Sequence, residues 1–144
     1  MENTNENYSG KKLYSKLGIG IATFFGSFLG ASILMRHNYR ALGKEYKGKE
    51  ILYLGILSTI LFFSSLLIIP EDVISMIPSN IIPFLVVSAV YFFVDKKQGK
   101  ELAMYEKNKH TFISNWKAAG IGLFSMFLIF IGLFFGFMYL LPAV

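Results

Sequence analysis

The sequence predicts an all-α transmembrane protein, a four-helix membrane bundle in one domain over 1–144, and three observations carry that prediction. Of the 144 residues 54% are hydrophobic and only 16% are charged, where a soluble domain has about 25% charged. All 14 Lys and Arg and all 9 Asp and Glu residues lie outside the stretches 17–35, 51–69, 73–94 and 118–141. A soluble amphipathic helix needs a polar face, and none of these stretches supplies a charged one. Each is also about the 20 residues that cross about 30 Å of hydrocarbon at 1.5 Å per residue.

The first element, LGIGIATFFGSFLGASILM, exceeds the 7–15 apolar residues of a signal-peptide core and reads as retained rather than cleaved. Gly43, shortly after it, is placed for a left-handed helix stop. The second, ILYLGILSTILFFSSLLII, is the cleanest span and ends at Pro70. The third is irregular, because VISMIPSN precedes the firmly apolar IIPFLVVSAVYFFV of 81–94. Ser79 or Asn80 suits a helix cap there, with Pro83 tolerated in the first turn. The fourth follows Ser114 and Asn115 as candidate caps and stops at Pro142. No repeat period or long linker divides the chain.

Basic residues orient the spans. The connections 36–50 and 95–117 carry eleven of them, while 70–80 holds only Glu71 and Asp72. Four spans put those two connections in the cytoplasm and leave Lys11, Lys12 and Lys16 outside, with both termini. The alternative keeps the first segment as a re-entrant or surface helix, giving three spans and every basic residue inside. Charge favours that alternative; the unbroken apolar length of 17–35 favours four spans, which is the expectation adopted. In it Tyr39, Tyr53, Tyr91 and Trp116 mark the inner interface, and Tyr14 and Tyr139 the outer.

Function classes narrow mostly by exclusion. Without cysteine, a disulfide scaffold, a thiolate metal site and a Cys nucleophile are ruled out. The histidines, His37 and His110, are too few for a zinc site of three or four ligands. No Ser–His–Asp set, phosphate loop or HExxH occurs, so no catalytic, cofactor or metal residue is assigned and an enzyme is not expected. No ionisable residue lies at membrane depth, as ion-coupled transporters usually require. Glu71 and Asp72 read as an acidic helix start. The formal net charge of +5 borders apolar segments, which points to the bilayer's anionic headgroups rather than nucleic acid. Arg36, Arg40, Lys44, Lys96, Lys97, Lys100 and Trp116 are the headgroup candidates.

The strongest pattern is a small-residue stripe. Gly18, Ala22, Gly26 and Gly30 recur every fourth residue, and Gly132 and Gly136 form a second pair, with Gly122 and Ser125 near the same face. Small residues let helix backbones approach closely in lipid. The stripe reads either as packing between the first and last segments or as an interface with another copy or a membrane partner. In the connection 95–117, Leu102, Met104 and Tyr105 suit either a surface contact or a solvated linker.

Leu13-Tyr14-Ser15, Ala22-Thr23-Phe24-Phe25-Gly26 and Asn38-Tyr39-Arg40-Ala41-Leu42-Gly43 resemble a group of small bacterial polytopic membrane proteins that open with "LYS…ATFLGGPLAG…NYxALG". Asn115-Trp116-Lys117 is similar to the tryptophan that group carries before its last span. The likeness covers about 13–43 and 110–125. It departs at Ser27-Phe28, where the group has Gly-Pro, and the loss of that proline favours a continuous first helix. The resemblance implies bacterial origin and membrane residence and no activity. The expected protein is a non-enzymatic, multi-pass inner-membrane protein acting by helix–helix association, in an accessory, regulatory or toxin-neutralising role. The alternative is a small channel, transporter subunit or holin-like permeability protein.

Overall fold

A computed structural model describes residues 11–140 as helices joined by short connections, with no strand among them. The helices are α1 (Lys16–Ala41), α2 (Glu45–Ile68), α3 (Glu71–Ser75), α4 (Ile81–Lys107) and α5 (Asn115–Leu140). By length and composition Lys16–Ala41, Glu45–Ile68 and Asn115–Tyr139 are long and apolar enough to cross a membrane.

α1 does not run straight. Its helical geometry breaks at Ser27, with φ 52° and ψ −148°, and the two arms, 16–26 and 28–41, fold back on each other. The Tyr14 N–H donates to Asn38 Oδ1 at 2.8 Å, and Asn38 Nδ2 donates to the Tyr14 carbonyl at 2.9 Å. In one straight helix residues 24 apart would lie about 36 Å from each other. Gly30 likewise lies against the backbone of Ala22, eight residues earlier. The arms are about 16 and 21 Å long, each shorter than the hydrocarbon thickness. This corrects the expectation of a continuous first helix. Losing the Gly-Pro pair does not straighten α1: Gly30, without a side chain, still permits the close approach to the Ala22 backbone that the reversal needs.

The hairpin is the centre of the molecule. α1 packs on α2, α4 and α5, and these three barely touch one another. Its buried residues include Ile19, Ala22, Ala31, Leu34 and Met35, joined by Leu13, Ile51, Val90, Val94 and Ala118.

Local chemistry sets the ends. Ser15 caps α1 by accepting from the Gly18 N–H at 3.0 Å. Gly43, at φ 74°, turns the chain into α2. Pro70 ends the run after α2 and precedes α3, whose first turn holds Glu71 and Asp72. The expected span 73–94 divides into α3, a turn through Pro78 and α4, which starts after Asn80 with Pro83 in its first turn. Pro78 supplies no backbone N–H, so the helix cannot run through it unbroken.

The connections are shorter than expected. α1 continues to Ala41, so only 42–44 separate it from α2; α4 continues to Lys107, leaving 108–114 before α5. Pro142, the expected stop of the last helix, lies outside the described residues.

Folding α1 back moves its N-terminal flank to the other end from the one four spans require. Lys12 meets His37, and the Ile113 N–H donates to the Leu13 carbonyl at 2.8 Å. Lys11, Lys12 and Lys16 therefore share the end that carries the other eleven basic residues, and Tyr14, expected at the outer interface, sits there with them.

Candidate functional site

Three groups of residues build the surfaces that carry chemistry. The first joins the hairpin to α5. A Cβ added at Gly26 would lie 2.7 Å from Ser125 Cβ and 2.8 Å from the Gly122 carbonyl oxygen; one at Gly122 would lie 2.9 Å from Ala22 Cα. Gly18 faces Asn115 and Ala118 at 3.2 and 3.4 Å. Gly18, Ala22 and Gly26 thus pack inside the chain on α5, Gly18 against Asn115 and Ala118, Ala22 and Gly26 against Gly122 and Ser125. The reversal at Ser27 places Gly30 across the hairpin rather than further along one stripe. Gly132 and Gly136 take no part, since a Cβ on either would meet nothing within 4 Å.

The second is a polar clasp at the basic end. Asn38 and Gln98 are fully buried. Asn38 Nδ2 donates to Gln98 Oε1 at 3.3 Å, and Gln98 Nε2 donates to the Met35 carbonyl at 2.9 Å. Tyr105 Oη donates to the carbonyls of Lys11 and Thr111 at 3.2 and 3.1 Å. This ties both ends of the hairpin to the polar half of α4, where an unpaired buried amide would cost about 1–3 kcal/mol. Lys16–Asp95 at 2.6 Å and Lys44–Glu101 at 2.7 Å add ion pairs around it. Burial works to raise the Glu101 carboxyl, but the Lys44 hydrogen bond, a backbone hydrogen bond and the Lys44 and Lys47 charges outweigh it and hold its pKa below the ordinary value. His37 meets Tyr14 edge-on, and His110 stacks on Tyr105. Sequence reasoning missed Asn38, Gln98 and the role of Tyr105. Uncharged amides flanking apolar runs were the available signal.

The third is the outer half of α5. Every residue from Met126 to Tyr139 is exposed except Ile129, which is half-buried. Beside it a cleft of about 420 Å³ opens between α2 and α5, lined by Leu29, Thr59, Ser64, Leu67, Leu128 and Gly132. The tip of the hairpin lies nearby, where Ser27 shares a second cleft with Phe62, Phe63, Pro83 and Phe130.

The headgroup candidates gather at the basic end in different states. Lys44 is paired with Glu101, and Arg40 approaches Glu45 at 3.7 Å. Arg36 Nε is buried with no hydrogen-bond partner among the described residues. Lys96, Lys97 and Lys100 are exposed, as is Trp116 at 87%. No family model, curated protein or solved structure matches the chain.

Proposed function

We propose that this is a non-enzymatic bacterial inner-membrane protein that works by helix–helix association with a membrane partner or a second copy, through the outer half of α5. α2 and α5 cross the bilayer around the re-entrant hairpin, and the basic end faces the cytoplasm. α4 returns the chain through the bilayer, although its apolar part, 81–94, is shorter than that of α2 or α5. Support for that orientation is the distribution of charge: every Lys and Arg lies at one end, and Glu71 and Asp72 at the other. Bacterial origin rests on the resemblance of 13–43 and 110–125.

The observation that carries the association reading is the bare α5 face. Gly132 and Gly136 form a flat strip with open space above it, next to a cleft with two hydroxyls in its wall. Close backbone approach and hydroxyl hydrogen bonds are what hold helices together in lipid. The permeability alternative has less support, because aliphatic and aromatic side chains dominate both clefts.

The chain has no cysteine, so Gly132→Cys and Gly136→Cys introduce single thiols. Oxidative crosslinking in native membranes should give one discrete dimer or heterodimer product from each. Gly132→Leu with Gly136→Leu should lose co-purification of that product while keeping parental stability. Association unchanged by the leucines would overturn the proposal.

A further inference from the structure

We infer that the groove between α2 and α4 at the basic end is a binding site for one anionic glycerophospholipid, with its phosphate on Lys47, Lys96 and Lys97 and an acyl chain in the cavity beneath. The mouth of the groove, about 560 Å³, is walled by Lys47, Glu50, Tyr53, Phe93, Lys96 and Lys97. Three cations face one carboxylate there, and none of the three is in an ion pair among the described residues. The neighbouring cations Lys16, Arg40 and Lys44 each have an acidic partner. The groove therefore holds net positive charge that its own walls do not neutralise.

The backbone bearing these lysines is fixed. Tyr39, buried in the wall, donates from Oη to the Lys97 carbonyl at 3.2 Å. Lys97 Nζ stands 5.8 Å from the centre of the Phe93 ring. The site thus offers an anion two lysines on adjacent residues of α4 and a third across the groove on α2.

The floor decides what kind of anion fits. Ile51, Leu54 and Phe93 line the mouth and also a second cavity of about 220 Å³. That cavity continues away from the charged end between α1, α2 and α4, past Phe28, Ala31 and Ala89. A free phosphate would leave this apolar channel unused. A glycerophospholipid matches both parts, with charge at the interface and hydrocarbon below. Basic pockets between helices on the cytoplasmic side bind anionic headgroups in this way. The inference rests on the membrane residence and orientation proposed above and is independent of the α5 association.

The test measures thermal unfolding of the full chain in neutral detergent, titrated with dioleoylphosphatidylglycerol or with dioleoylphosphatidylcholine. Phosphatidylglycerol should stabilise the parent at concentrations where phosphatidylcholine does not. The triple variant Lys47→Gln, Lys96→Gln, Lys97→Gln should need roughly tenfold more phosphatidylglycerol or higher. A control triple at the same end, Lys107→Gln, Lys109→Gln, Lys117→Gln, removes equal charge outside the groove and should respond like the parent. Ala89→Trp, filling the channel at an exposed position, should weaken the response with every lysine in place. Equal losses in the two triples would reduce the effect to diffuse surface charge and overturn the site. Equal stabilisation by glycerol phosphate would assign the groove to a soluble anion and overturn the lipid. Misorientation of the whole chain is detected separately: a cysteine at Ser79 would then label from the cytoplasmic face instead of the outside.

Discussion

Ser27→Gly should stabilise this protein, and the sign of that change tests the folded-back path of α1. Ser27 sits at φ 52°, ψ −148°, close to a region that only glycine enters without strain, and such a residue costs about 1–3 kcal/mol. Its hydroxyl oxygen is also buried with no hydrogen-bond partner among the described residues, which costs about 1–3 kcal/mol more. Glycine removes both terms. Against this stands the extra backbone freedom that glycine loses on folding, roughly 0.5–1 kcal/mol. The balance is a gain of at least about 1 kcal/mol. In a straight helix the same substitution would place glycine in a helix interior and cost roughly 0.5 kcal/mol. Equilibrium unfolding in mixed micelles, with helicity as the signal, separates the two. A variant less stable than the parent would refute the hairpin.

Two further predictions bear on the same geometry. Gly30→Ala places a methyl group against the backbone of Ala22, where only movement of the arms gives relief; it should destabilise by about 1–3 kcal/mol less the helix-propensity gain of about 1, whereas Gly132→Ala, with nothing within 4 Å, should be neutral or mildly stabilising by the same unfolding assay. Lys12→Cys with His37→Cys should form an intramolecular crosslink in membranes with a short bifunctional thiol reagent, because His37 Nε2 lies 3.2 Å from the Lys12 carbonyl oxygen; a straight helix would hold these residues more than about 35 Å apart, so failure to crosslink at any protein dilution would count against the fold.

Much of the helical layout was legible in the residues because it depends on near neighbours. The apolar run 51–69 and Pro70 predict α2, which ends at Ile68. Gly43 takes the left-handed conformation expected of it, and α4 begins directly after Asn80. The extension of α4 to Lys107 was not legible. DKKQGKELAMYEK has no continuous apolar run, and it is held by Gln98, Leu102 and Tyr105 packing on the hairpin's ends. The small-residue stripe marked where backbones meet, but Gly122 rather than Gly132 receives it.

The sequence by itself determined that the chain is helical, that its long helices are apolar enough for a membrane, and where Pro70 and Gly43 break it. Those are properties of composition and of residues a few positions apart. The tertiary structure alone decided that 17–35 turns back at Ser27, and with it which end carries Lys11, Lys12, Tyr14 and Lys16. The hydropathy of a stretch is the same whether its helix runs straight or folds over. What selects the fold is contact between residues far apart in the chain: Tyr14 with Asn38, Asn38 with Gln98, and Gly26 with Gly122.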